Sequence, residues 1–400
     1  MARRSVLIVG CGIAGPALAY WLLQQGFEVT IAEKAPELRR EGYAIDFWGL
    51  GYDLVDRMGL LPQVLEAGHV VRELRLVNSR GRRVGGFDVD VFRAATNGRF
   101  TTLPRAALSA ILHGAIADRA AVRWGTTPIG FEQRADGVLV RFSDETSELF
   151  HCVVGADGAH STVREQLFGD SREFERYLGF RVVAFQVPGY PRRDELAYVS
   201  YADPGRQMAR LGLADDRTLF LLMAREEAPG PAHWERRATL DYLLARFGDM
   251  GWEAPDILSA AGAASDIYID RVSQVRLPRW WRGRVALVGD AAYAPSLLAG
   301  QGSALAIIGA YVLAGELARA VTPEGAFERY QGHLQGFLRS KQEAATKFAG
   351  TFIPQTRWGI WARNIVTRAM AIPLIAKLAM GDSLTDALRL PEYPLMNQKR

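Results

Sequence analysis

Val6-Leu7-Ile8-Val9-Gly10-Cys11-Gly12-Ile13-Ala14-Gly15, the apolar run from Pro16 to Leu23, and Val29-Thr30-Ile31-Ala32-Glu33 decide how the rest of the chain is read. Val6–Val9 is aliphatic without polar alternation, the pattern of a strand buried on both faces of a parallel sheet. Gly10, Gly12 and Gly15 fall where a tight turn, a close backbone approach and close helix–strand packing are each needed. The apolar run predicts a helix whose N-terminal N–H groups face whatever the turn cradles. Glu33 closes a second strand about 20 residues on, where an acid accepts hydrogen bonds from ribose hydroxyls. A glycine-rich turn that binds nothing would explain the glycines but not Glu33, so the stretch predicts a dinucleotide site. Arg3 and Arg4 ahead of apolar residues imitate a secretory leader, but leaders carry no phosphate-turn glycines followed by a matched strand.

The chain has 400 residues and reads as about two domains. No uninterrupted apolar stretch reaches the length of a membrane span once glycines and charges are counted. Cys11 and Cys152 are the only cysteines. Two thiols with such different neighbours build neither a metal cluster nor a disulfide framework, which suits a reducing cytoplasm. The net charge of +4 is mild, and the basic residues are scattered, which argues against nucleic acid as a partner.

Lys34 to Gly42 is a polar loop, Tyr43 to Trp48 a short strand carrying Asp46, and Gly51 to Met58 a helix. Residues 70–103 alternate and turn often, as hairpins do, and predict part of a second, antiparallel sheet. Pro104-Arg105 opens a helix running to Asp118. A cation at a helix start is disfavoured unless an anion or acceptor sits there too. Cys152-Val153-Val154 leads into Gly155-Ala156-Asp157-Gly158, with Ser161 placed to cap a helix. Residues 176–275 read as further strands. One apolar face with Phe180, Phe185, Tyr198 and Phe220 would suit a flat ligand or simply pack on its own helix. Val285 to Ala292 returns to α/β character. Pro295 and Gly300-Gln301-Gly302 then precede a buried helix from Ser303 to about Ala320. The tail from Phe337 to Met380 is helical and amphipathic, broken near Pro354 and Pro373. It packs across the domains or lies on a membrane surface. Pro391 to Arg400 reads as frayed.

Gly10-x-Gly12-x-x-Gly15 with Glu33, Gly155-Ala156-Asp157-Gly158, and Gly289-Asp290-Ala291-Ala292 with Pro295 together resemble the single-component flavin hydroxylases of the p-hydroxybenzoate hydroxylase fold, across nearly the whole chain. Within that family, Ala14 to Leu22, Ala44-Ile45-Asp46, and Gly289 to Tyr293 through Gly302 look like the tetracycline-inactivating monooxygenases and related polyketide hydroxylases. The resemblance implies a mixed α/β fold. A Rossmann-like FAD-binding domain (1–72, 101–175 and 276–340) would carry an inserted antiparallel β-sheet substrate domain (73–100 and 176–275), bridged by a C-terminal helical segment (341–400). It implies that Gly10, Gly12 and Gly15, with Ile13 and Ala14, hold the FAD pyrophosphate, and that Glu33, beside Lys34, holds the adenosine ribose. Arg105 would reach the phosphate or ribitol, and Asp290 the ribitol or pyrophosphate side. Pro295, Gly300, Gln301 and Gly302 would lie at the isoalloxazine, and Asp46 would contact the flavin. Arg39 would serve NADPH, and Asp157 would bridge the FAD and NADPH regions. Arg206 would touch substrate, with Val183 and Phe185 lining its site.

The implied reaction uses bound FAD, NADPH or NADH, and O2 to hydroxylate a flat phenolic or polycyclic small molecule. The partners would be that substrate alone, on a monomer or weak homodimer with no integral membrane association. The cofactor does the hard chemistry, which accounts for the lack of any Ser/His/Asp or metal constellation. His160 is then a local contact. A reductase or dehydrogenase on the same fold, or a drug-sequestering flavoprotein, are the rival readings. The tryptophan-rich motif that the resemblance would lead one to expect of a halogenase, between the first two signatures, is missing, which weighs against that variant.

Overall fold

A computed structural model describes residues 4–38, 44–69, 71–192, 194–213, 216–231, 234–370, 372 and 386–394. Ser5–Val9 lies inside a six-stranded sheet ordered Trp281–Arg282, Val285–Leu287, Cys152–Gly155, Ser5–Val9, Glu28–Glu33, Ala121–Trp124. Val6 stands opposite both Cys152 and Val29. Every pair is parallel except the short antiparallel edge Trp281–Arg282. Val6, Leu7 and Ile8 are fully buried, as an unbroken aliphatic strand requires.

The helix Ala14–Gln24 follows the glycine turn and packs against the helix Gly302–Arg319. The latter is apolar on every side and buried along most of its length. Among the described residues it is the one helix long and apolar enough to cross a membrane, and the protein's own core surrounds it.

A second sheet has seven strands, ordered Ile267–Val275, Glu175–Pro188, Arg217–Arg225, Arg206–Gly212, Ala197–Asp203, Glu73–Val77, Arg83–Asp88. It is not antiparallel throughout, because Ala197–Asp203 runs parallel to Glu73–Val77. Those two strands belong to different chain segments. The long connection between them passes through the first sheet and imposes no hairpin sense. Phe100–Pro104 also departs from expectation. It pairs with Ala44–Trp48 in a two-stranded ribbon instead of joining the second sheet. Alternating pattern gives a strand's character but not its partner.

The second sheet buries both faces. One packs Val183, Phe185, Met208, Phe220 and Leu222 on the helices Arg236–Phe247 and Ala254–Ala263. The opposite face meets the first domain at two places. Leu211 and Leu219 pack near Ala44 and Phe100, and Val182 and Met223 pack near Leu297 and Leu298.

Two helices, Pro323–Phe352 and Arg357–Ala369, follow, broken around Pro354 as the sequence predicts. Pro373 lies outside the described residues. The final turn of chain is not frayed up to Pro394. Tyr393 is buried on Gly315 and donates to Glu316 Oε1 at 2.8 Å, and the Tyr311 hydroxyl donates to the Pro391 carbonyl at 3.0 Å.

Candidate functional site: a dinucleotide turn facing a polar sheet surface

Gly10 has φ +108°, and a Cβ there would sit 2.7 Å from the Ala156 carbonyl oxygen. A Cβ on Gly15 would sit 2.0 Å from the Gly10 carbonyl oxygen, so only glycine lets the turn fold onto its helix. Gly12 differs: the nearest atom to a Cβ there is Arg105 Nη2, at 3.7 Å. Its backbone therefore faces open space, which is what a phosphate cradle needs. Ser109 Oγ donates to the Gly12 carbonyl at 3.0 Å and ties the turn to the helix Arg105–Gly114. Ile13 and Ala14 are buried at the head of the first helix.

Glu33 braces the same turn, accepting from the Cys11 N–H at 2.7 Å and the Ala35 N–H at 2.9 Å. Each oxygen keeps a lone pair for a further donor. Lys34 is exposed beside it, and Arg39 lies outside the described residues. The thiols of Cys11 and Cys152 are both pushed up to about 12 by burial. Neither is a nucleophile at neutral pH.

Arg105 reaches from its helix start between the glycine turn and Asp290. Asp290 opens the short helix Asp290–Tyr293 after Gly289, whose φ is +67°. The residue is half-buried, and desolvation raises its carboxyl pKa while the Arg105 charge opposes the rise. Among the described residues it has no hydrogen-bond partner. A half-buried carboxyl without a protein donor keeps its lone pairs free for a ligand's hydroxyls. The turn, the open face of Gly12, Arg105 and Asp290 therefore fit a phosphorylated, hydroxyl-bearing cofactor.

Gly300 is left-handed at φ +64°, and a Cβ there would touch the Trp48 ring at 3.6 Å. Gln301 is buried, and the N-terminus of the Gly302–Arg319 helix has no side-chain cap. Its first N–H groups are free for a ligand. A Cβ at Gly302 would lie 3.6 Å from Asp290 Oδ1, which brings the two motifs together. Pro295 is fixed through its carbonyl, which accepts from the buried Gln274 Nε2 at 2.9 Å.

Asp46 accepts from Thr102 Oγ1 at 2.6 Å, and desolvation raises its pKa. Its side chain is exposed to solvent, and Tyr198, on the second sheet, is half-buried. The Asp46 and Arg363 charges both act on the Tyr198 hydroxyl, so the three face a common gap between the Ala44–Trp48 ribbon and the second sheet. Trp48 and Phe100, ring centroids 6.0 Å apart, stand beside it. Register puts Tyr198, Ser200 and Gln207 on the sheet face turned this way. Gln207 Oε1 accepts from Arg363 Nη1 at 3.0 Å, Arg363 being carried by the Arg357–Ala369 helix. Ser200 Oγ is buried without a partner. Tyr198 was legible as one of the sheet's aromatics, whereas Gln207, Ser200 and Arg363 carried no sequence signal beyond strand alternation and the tail's basic spacing.

Three sequence-predicted substrate residues sit elsewhere. Val183 and Phe185 point into the core beneath the helices, where Phe185 stacks on Phe220 at 4.9 Å. Arg206 shares that side of the sheet. It pairs with Asp249 Oδ1 at 2.5 Å and donates to the Arg246 carbonyl at the end of the helix Arg236–Phe247. The side-chain period of two decides this: residues 183, 185 and 206 fall on the helix side, residues 182, 184 and 207 on the other.

Asp157 is also committed locally. Its carboxylate accepts from Ser161 Oγ at 2.5 Å, from the Thr162 N–H at 2.8 Å and from the Val163 N–H at 3.1 Å, capping the helix Thr162–Phe168. That geometry does not direct it between two cofactors. Sequence reading passed over Arg164, which is 2 % exposed and donates to the Ala291 carbonyl at 2.9 Å. It fastens the Asp157 segment to the Asp290 segment. His160 is not the local contact expected: its Nε2 lies 3.2 Å from Asp270 Oδ2, on the strand Ile267–Val275 of the second sheet, because the turn after Gly155 reaches across to that strand. Among the described residues no three His, Cys, Asp or Glu side chains are grouped to hold a metal.

With a phosphate turn, a half-buried acid and a helix N-terminus converging, the architecture is that of a nucleotide-cofactor oxidoreductase. Residues 3–331 match the FAD binding domain family, and the chain belongs to it. A flavin-dependent monooxygenase of Legionella longbeachae is 31% identical over 400 residues, spanning 97% of this chain and 98% of the relative. FAD-dependent monooxygenase asL4 of Sarocladium schorii is 29% identical, spanning 98% of this chain. The crystal structure of tetracycline destructase Tet(55) superposes with a TM-score of 0.84 at 29% identity, covering 98% of this chain and 99% of its own. The chain is thus a member of the flavin-dependent monooxygenases, with FAD as its cofactor.

Proposed function

We propose that this monooxygenase hydroxylates a flat phenolic or polycyclic small molecule held between Asp46 and Trp48 on one side and Tyr198, Gln207 and Arg363 on the other, with NADPH or NADH as reductant. The observation that carries this is the polar cluster of Tyr198, Gln207 and Arg363 on the sheet face turned towards Asp46. Relatives named for tetracycline inactivation and for monooxygenation support the substrate class.

Bound FAD supplies the reducing and O2-activating chemistry. The chain's own groups bind and orient. In this reading the amides and open face of Gly10, Gly12 and Gly15 hold the pyrophosphate, with Arg105 neutralising its charge. Asp290 accepts from the ribitol side. The free N–H groups of Gly302 and its neighbours offer a positive dipole end beside negative charge on the ring. Burial keeps the Tyr198 phenol protonated at neutral pH, so its hydroxyl can donate to a substrate oxygen. The Arg363 guanidinium, oriented by Gln207, suits a phenolate or enolate. Trp48, Phe100 and Leu221 give the ring system apolar walls and exclude water.

The test is NADPH oxidation, O2 uptake and product mass with the purified yellow protein, against tetracyclines, anthraquinones and simple phenols. Gain of one oxygen on one scaffold establishes the substrate class. NADPH oxidation without any substrate-dependent O2 uptake favours a reductase. Tyr198→Phe is expected to raise KM about tenfold, one lost hydrogen bond to a charged acceptor, with FAD content unchanged.

A further inference from the structure

The Arg357–Ala369 helix is amphipathic the wrong way round for a core helix. Arg363 and Thr367 face the protein, where Arg363 donates to Gln207 and Thr367 Oγ1 accepts from the Gly86 N–H at 3.2 Å, while Arg357 and Arg368 are exposed. Gly85 makes this approach possible, since a Cβ there would meet Thr367 Oγ1 at 2.8 Å. The apolar residues face outward. Trp358 is 77% exposed, Trp361 57%, and Ile365, Val366 and Ile372 are exposed with them. Eleven large apolar side chains are exposed among the described residues, and these five fall within fifteen positions, so the patch is not scatter. The two indole rings meet edge-on at 5.5 Å.

We propose that this face docks the protein onto an anionic lipid bilayer, at the level of the headgroups. Tryptophan combines an apolar body with an N–H that remains wet, which suits that depth. The helix carries Arg357, Arg363 and Arg368 and no acid, and among the described residues Arg357 and Arg368 have no ion-pair partner. Such a face complements a negative surface. The inner side of the helix covers the sheet face that holds Tyr198 and Gln207. Docking would therefore put the Tyr198–Gln207 face next to a phase into which flat apolar molecules partition.

The experiment is co-sedimentation of the FAD-loaded protein with vesicles of phosphatidylcholine alone and of phosphatidylcholine with phosphatidylglycerol. No NADPH or substrate is present, so a failure here leaves the monooxygenase reading untouched. Binding to the anionic vesicles at least tenfold tighter than to the neutral ones, and lost in high salt, is expected. Trp358→Ser/Trp361→Ser, and separately Arg357→Glu/Arg368→Glu, should each reduce it at least tenfold with flavin content and circular dichroism unchanged. Absence of binding by the parent protein overturns the proposal. So does binding that folded variants retain, or a parent dimer that the tryptophan variant converts to monomer without any vesicle binding.

Discussion

Asp290 illustrates how one side chain can contribute little to the fold and yet be the group proposed to hold the cofactor. Its half-buried carboxyl lacks a protein donor, so removing it should not harm folding. Asp290→Ala is expected to leave a folded protein with flavin stoichiometry well below one, read from visible absorbance. Retained full colour would take Asp290 off the cofactor. Gly15→Ala should be far harsher, because its Cβ has only backbone to push against. An overpacking cost of about 3 kcal/mol is expected in denaturant unfolding. The His160–Asp270 contact adds a pH dependence. His160 is raised above its usual 6.5 by Asp270, so its contribution is complete at lower pH and disappears as pH rises through the folded value. Asp270 is held below its usual 3.8, although burial opposes this, so its contribution is lost only as pH falls through that lower value. Between those limits the half-exposed pair contributes about 0.5 kcal/mol. The melting-temperature difference between His160→Gln and parent should be measurable at pH 6 and vanish by pH 9.

At the scale of elements, two motifs that looked alike in sequence divide into different jobs. The Gly155 to Gly158 segment spends its acid on capping: Asp157→Ala should cost about 2 kcal/mol of stability and leave the substrate KM alone. Asp157→Asn should recover part of that, since one of its two oxygens can still accept. The Gly289 to Gly302 segment leaves its acid and its amides free. Sequence spacing revealed both turns, because glycines and acids at turns have few alternative explanations. It could not tell a cap from a ligand contact, since that depends on which N–H groups the fold brings within 3 Å. The second sheet was legible as strands, but its faces were not. A strand buried on both sides has apolar residues at every position, so Val182 and Val183 look equivalent until register sets one towards Leu297 and the other towards Phe247. Arg206 followed the same error, and Arg206→Ala is expected to leave KM unchanged while losing no more than about 1 kcal/mol.

For the whole molecule, the two-sheet arrangement with its nucleotide turn was legible from three separated motifs. The parallel strand pair and the packed end of the tail were not, because both depend on partners more than a hundred residues apart or on nonlocal burial. Tyr393 lies against Gly315, where a Cβ would meet its ring at 2.3 Å, and a chain cut before Pro391 loses that contact. A destabilisation of about 3 kcal/mol is expected in denaturant unfolding, the cost of removing a buried aromatic ring. The order of the central sheet also bears on how the protein comes into being. Val6–Val9 finds one ladder partner in the next strand, Glu28–Glu33, and the other only in Cys152–Gly155, with Val285–Leu287 beyond it. The sheet that carries the nucleotide turn is thus completed by contacts of high sequence separation, an arrangement that slows folding relative to locally paired strands.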